Sequence, residues 1–151
     1  MRKVVAVAGG FDPIHGGHLI HLLKARALAG PNGKLFVITH NDDAMVVKKG
    51  YCFMPMDQRV ALLLALRCVD RVVVAEQHGD HDGTVAETLV LLHPDIFAKG
   101  GDRQQSTMPQ SELDTCQRMG IELVFGVGDQ LASSQDLVLQ AAGRLRQLGR
   151  V

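Results

Sequence analysis

Val4-Val5-Ala6-Val7-Ala8-Gly9-Gly10, with leucines and alanines at helical spacing from Gly17 to Ala29, is the stretch on which the fold turns. Five apolar residues in a row, without alternation, describe a strand buried on both faces, as in a parallel sheet. The glycine pair ends the strand. Leu19, Leu22, Leu23, Ala25 and Leu28 then mark one face of a helix. The unit is strand, tight turn, helix.

The same unit repeats outward from there. Gly30-Pro31-Asn32-Gly33 is a turn, and Leu35 to Thr39 reads as a second strand. Residues 40 to 56 read as an irregular loop that carries Lys48-Lys49-Gly50. Asp57 is placed to cap a helix reaching about Cys68, and Arg71 to Ala75 is a third strand. Gly79 to Gly83 is a loop, and Thr84 is placed to cap a helix that stops before His93-Pro94. Asp95 to Ala98 is a fourth strand, running into Lys99-Gly100-Gly101-Asp102-Arg103. A helix from about Gln110 to Met119 closes at Gly120. Ile121 to Phe125 is a fifth strand, and Ser133 or Ser134 caps a last helix. Five β-α repeats without a linker predict one domain over residues 1–151. Its class is α/β, a Rossmann-like doubly wound five-stranded parallel sheet with helices on both faces. Ligands in such folds sit beyond the carboxyl ends of the strands, where strand order reverses.

Composition narrows the function classes. The 151 residues carry 16 basic and 16 acidic side chains, so no net positive charge advertises nucleic-acid or membrane binding. Aromatic residues are 4% and tryptophan is absent, which argues against a base-stacking single-strand binder. Cys52, Cys68 and Cys116 are odd in number and widely spaced, as expected of reduced thiols in a cytoplasmic protein. Met1-Arg2-Lys3 leads into a run of only strand length, so neither a signal peptide nor a membrane span is expected. His78-Gly79-Asp80-His81-Asp82 reads as a solvated loop, and no protein metal site is expected.

The chemistry concentrates in Gly9-Gly10-Phe11-Asp12-Pro13-Ile14-His15-Gly16-Gly17-His18. Gly9 and Gly10 let backbone approach a ligand closely. The helix behind them turns its free N–H groups and positive dipole end toward the same space, an anion site. His15 and His18, three residues apart, can donate to the non-bridging oxygens of one phosphate and stabilise charge that grows during phosphoryl transfer.

This stretch resembles the signature of the HxGH nucleotidyltransferases, the cytidylyltransferase-like superfamily, whose members join an NTP to a phosphorylated acceptor and release pyrophosphate. The resemblance implies that His15 and His18 brace the phosphates, with Gly9, Gly10 and Phe11 against the nucleotide. It implies that Lys49, with Lys48 beside it, closes over the phosphates from a flexible loop. Arg59 stands where these enzymes carry an arginine on the nucleotide or acceptor phosphate, and Asp12 is expected to orient the acceptor or a metal. Lys99-Gly100-Gly101-Asp102 resembles the heptose-phosphate adenylyltransferases, which implies that Gly101, Asp102 and Arg103 meet base or ribose. Ala132-Ser133-Ser134 stands where the family has Ile followed by two or three hydroxyl residues, so Ser133 and Ser134 are expected to form a second phosphate cradle. The arginine that precedes this motif in glycerol-phosphate and choline-phosphate cytidylyltransferases is missing. Phe11-Asp12-Pro13-Ile14 is similar to phosphopantetheine and mononucleotide adenylyltransferases.

The resemblance therefore implies transfer of a nucleoside monophosphate from CTP or ATP to a polyol or sugar phosphate. Mg²⁺ is expected to arrive with the NTP, and a homodimer is implied. A phosphopantetheine- or mononucleotide-type adenylyltransferase is the alternative within the class. A non-catalytic nucleotide-binding protein is the alternative outside it.

Overall fold

A computed structural model describes residues 2–75, 83–101 and 103–150. Asp102 and residues 78–82, both singled out above, lie outside the described residues. The elements run β1 (Val4–Ala8), α1 (Gly16–Leu28), β2 (Lys34–Thr39), α2 (Asp42–Lys49), α3 (Met56–Leu64), β3 (Arg71–Val74) and α4 (Ala86–Leu92). They continue with β4 (Ile96–Ala98), a single 3₁₀ turn (Gln105–Thr107), α5 (Gln110–Met119), β5 (Glu122–Val124) and α6 (Ser134–Gln147).

The five strands form one sheet in the order β3-β2-β1-β4-β5, all parallel. Helices lie on both sides. Val5, Val7, Leu35, Val37, Ile96 and Ala98 face one core, which Leu22 and Ala25 of α1 and Leu63 of α3 complete. The alternate residues Ala6, Ile38 and Phe97 face the other, closed by Leu89 of α4 and Cys116 of α5. β1 contributes to both, which is why its sequence shows no polar alternation. Leu22, Leu63 and Leu89 are fully buried, each contributing about 1.5–3 kcal/mol of apolar transfer. Burial also pushes the Cys116 thiol up to about 11, so it is an inert core residue.

Three elements differ from the sequence reading. The segment read as irregular contains α2, opened by Asn41, whose side chain accepts from the Ala44 N–H, and closed by Gly50 in the left-handed region. Its two buried residues, Ala44 and Met45, are adjacent and leave no helical apolar stripe to read. α3 ends at Leu64 rather than near Cys68, and Pro55, not Asp57, holds its cap position. α4 starts after Val85, one residue later than a Thr84 cap predicts, and stops at His93, φ 44°, just before Pro94.

Strand order reverses between β1 and β4, since the chain steps outward through β2 and β3 and returns to the other side of β1. The crevice beyond the carboxyl ends of these two strands is where such a sheet places a ligand.

Candidate functional site

A cavity of about 590 Å³ occupies that crevice. Ala8 to Phe11 at the end of β1 and Ala98 to Gly101 at the end of β4 form its floor. Gly10 lets Met45 and Lys49 lie close over the backbone: a Cβ at this position would stand 2.6 Å from Met45 Cε and 3.8 Å from Lys49 Nζ, and both side chains would have to shift. Lys48 and Lys49 line the cavity from the last turn of α2, so an ordered helix, not the expected flexible loop, presents them. Burial lowers the pKa of both lysines, with neighbouring positive charge adding to it: Arg103 and Lys49 around Lys48, Arg59 around Lys49, where Asp12 opposes the shift.

His15 caps α1. Its Nδ1 accepts from the Gly17 N–H (3.1 Å) and the His18 N–H (3.4 Å), while His18 Nδ1 accepts from the His15 N–H (3.3 Å). Backbone amides are donors only, so both Nδ1 atoms must be bare and both neutral rings carry their proton on Nε2. The cap thus fixes two parallel N–H donors at the mouth of a helix N-terminus. The rings stack 3.8 Å apart. Burial, then His15, Lys49 and His21, press His18 down to about 3. His15 is lowered too, by burial and Lys49. Two neutral donors suit an anionic ligand that supplies the negative charge itself.

His21, one turn further along α1, was not singled out from the sequence, although His15, His18 and His21 recur every third residue. Its Nδ1 donates to the Val127 carbonyl. Gly128, φ 95°, passes so close that a Cβ would lie 3.0 Å from His21 Cα. This pins the loop after β5 against α1. Ser134 Oγ then donates to the Pro13 carbonyl (2.8 Å), and Ser133 Oγ accepts from the Asp136 N–H as the α6 cap. Both serines line the cavity, so the N-termini of α1 and α6 converge on one space. Gly101 and Arg103 line it as well, and the Gly101 N–H bonds to the Gly128 carbonyl.

Two residues expected at a ligand make internal contacts. Arg59 is 0% exposed. Its guanidinium donates to the carbonyls of Met54, Gly10 and His40, to Thr39 Oγ1 and to the Asp42 carboxylate. It ties the first loop to β2 and α2 and touches no cavity surface. Asp12 is also 0% exposed, and its two oxygens accept from the Phe53 and Met54 N–H groups at 2.8 and 2.6 Å. It anchors the segment before α3. Sequence position alone could not show that these charges turn inward.

Three further cavity residues were not among the expected site residues, although Lys99 opens the Lys99-Gly100-Gly101 stretch. Lys99 and Glu112 form a buried ion pair at 3.0 Å, with the other Glu112 oxygen accepting from the Val85 N–H. His40, at the end of β2, is 3% exposed and lowered to about 4 by burial and by the charges of Lys48, Arg59, Lys49 and Lys99. Among the described residues no group of three or more His, Cys, Asp or Glu side chains could hold a metal ion, and no helix is long and apolar enough to cross a membrane.

The profile of the cytidylyltransferase-like family matches residues 6–131. The chain is 35% identical to a FAD synthase of Methanobrevibacter smithii over 104 residues, 69% of this chain and 65% of that protein. It is 36% identical over 116 residues to a D-beta-D-heptose 1-phosphate adenylyltransferase of Bordetella bronchiseptica, 74% of this chain and 66% of that one. The chain thus spans just under two thirds of the length of these relatives. A crystal structure of a lipopolysaccharide core biosynthesis protein from Thermoplasma volcanium shares the fold, with a TM-score of 0.64 at 24% identity over 82% of this chain and 93% of that one.

Proposed function

The chain belongs to the cytidylyltransferase-like family, and from that premise we propose that it transfers an adenylyl group from ATP to a small phosphorylated acceptor. The observation that carries the reading is the pair of neutral Nε2–H donors that the His15–His18 cap holds where the α1 and α6 N-termini meet. ATP is preferred to CTP because one relative is named for adenylyl transfer to a heptose 1-phosphate and another for making FAD, an adenine dinucleotide.

An acceptor phosphate oxygen attacks the α-phosphorus. A new P–O bond forms, the bond to the bridging oxygen of the β-phosphate breaks, and pyrophosphate leaves with that electron pair. His15 and His18 donate to oxygens whose charge rises in the transition state, and Lys49 approaches them across Gly10. The rest is positioning by the two helix ends. Mg²⁺ accompanying the NTP would supply further neutralisation of phosphate charge, beside Lys48 and Lys49 at the cavity wall.

The test is pyrophosphate release from ATP and from CTP, each with Mg²⁺, across sugar, polyol, flavin and pantetheine phosphates. Release with ATP and at least one acceptor supports the reading. Release with CTP alone reassigns the nucleotide. ATP binding without release against any acceptor favours a nucleotide-binding protein that does not catalyse transfer.

A further inference from the structure

The three histidines of α1 do not offer the cavity the same group. His15 and His18 accept from backbone amides through Nδ1 and so present Nε2–H. His21 is reversed. A carbonyl only accepts, so the Nδ1 that meets Val127 must carry the proton, and in the neutral ring Nε2 is left bare. Burial holds His21 below the ordinary histidine range, against the pull of the Val127 bond and with help from Lys99, so the ring is neutral at pH 7. His21 is partly exposed and lines the cavity. Its Nε2 bonds to no described residue, and it is not among the buried atoms left unpaired, which are His40 Nδ1 and the Tyr51 hydroxyl. That lone pair is open to a ligand.

The ring is held in this sense. A Cβ on Gly100 would stand 2.6 Å from His21 Nδ1, so backbone lies against that edge, and Gly128 closes on the His21 Cα. Turning the ring over would set a carbon against the Val127 carbonyl and forfeit the bond. A fixed acceptor has no use for a phosphate oxygen; it takes an N–H or O–H donor. The wall beside it is backbone of Gly100, Gly101 and Gly128, which carries no side chains and suits the edge of a flat ring. We infer that His21 is a specificity-determining residue for the nucleotide, its bare Nε2 accepting from the exocyclic amino group of the base. The inference rests on the transfer reading for the nucleotide, and on the tautomer for the amino group. Adenine and cytosine carry an amino donor where guanine and the uracil-type base carry a carbonyl. A carbonyl would face the lone pair with no proton between them, and sites built around one hydrogen bond reject partners that cannot make it.

The experiment is calorimetric binding of ATP, ITP, CTP, UTP and 2′-deoxy-ATP, with Mg²⁺ and without acceptor. The amino member of at least one pair, ATP over ITP or CTP over UTP, is expected to bind about tenfold more tightly, the worth of one hydrogen bond. His21→Asn carries an amide N–H that can keep the Val127 bond, but it removes the Nε2 acceptor. It should erase that preference by weakening the amino nucleotide and leaving its carbonyl partner unchanged. His21→Gln sets a carbonyl oxygen near the place of Nε2 and should restore part of the preference. If His21→Asn does not fold, the wild-type ratio and His21→Gln decide. Equal affinities within both pairs, or a preference that His21→Asn leaves intact, overturn the inference. So does an equal loss for both members of a pair, which marks a purely structural role. A loss seen with ATP but not with 2′-deoxy-ATP assigns the lone pair to a ribose hydroxyl and overturns it too. The expected pattern without pyrophosphate release against any acceptor sinks only the transfer reading. Release from ITP as readily as from ATP, and from UTP as readily as from CTP, sinks only the amino reading.

Discussion

His18 shows how one residue can serve folding and chemistry with different atoms. Its Nδ1 completes the α1 cap, and that bond leaves Nε2–H as the group offered to the cavity. The His-x-x-His spacing made the pair legible in the sequence. The shared cap, and the tautomer it dictates, depend on backbone direction at His15 and were not legible. The same burial makes a pH prediction. His18 and His40 titrate near 3 and 4 in the fold against about 6.5 unfolded. Between those limits the unfolded chain binds more protons, so their contribution is complete above about pH 6.5 and is lost as pH falls. Each contributes at most about 1.4 kcal/mol per pH unit. Urea unfolding at pH 7 and 5.5 should show a loss of roughly 2 kcal/mol, and His18→Asn should flatten the slope. A stability independent of pH in this window would contradict the buried, neutral assignment.

Among the elements, α2 was the one the sequence reading missed. Asn41 and Gly50 carry the start and stop signals of a helix, but the residues between them are mostly charged or exposed, so periodicity gave no warning. The helix holds its place through its first turn, where Arg59 binds Asp42, and that places Lys48 and Lys49 at the cavity. Asn41→Ala should therefore cost about 1 kcal/mol of stability and raise the KM for ATP more than a surface substitution of equal cost. Arg59→Met leaves three carbonyls, a hydroxyl and a carboxylate without their donor. It is expected to cost about 3 kcal/mol or more in urea unfolding, because each buried acceptor left unsatisfied costs about 1–3 kcal/mol, while the half-exposed Asp42 adds little. If Arg59 contacted a ligand instead, the variant would keep its stability and lose only affinity. Gly128→Ala strains a left-handed position and presses on His21, so it should lower both stability and turnover, which a scan of melting temperature beside pyrophosphate release would show.

At the scale of the whole molecule, the apolar run of β1 already implied a parallel sheet covered on both sides, and the strand order puts its reversal at β1 and β4, where the glycine motifs are. The strand ends that line the cavity were legible because glycines and histidines interrupt apolar runs there. The buried polar wall was not, because Lys99, Glu112 and His40 lie far apart in the sequence and meet only in the fold. ATP at 100 times its dissociation constant should stabilise the protein by about 2.7 kcal/mol. For a chain of this size that is a rise of roughly 5–10 °C in melting temperature, and CTP at the same concentration should give less. Equal shifts would remove the preference for ATP.

The central claim is that the stacked, neutral histidine pair acts on the transition state more than on bound ATP. It is tested most directly by comparing wild-type protein with His18→Ala for ATP affinity and for pyrophosphate release at saturating acceptor. The account predicts ATP binding within a few-fold of wild type and release slower by roughly 10²–10³-fold, the loss expected on removing one preorganised donor. Full turnover by His18→Ala, or a loss confined to ATP binding, would contradict it.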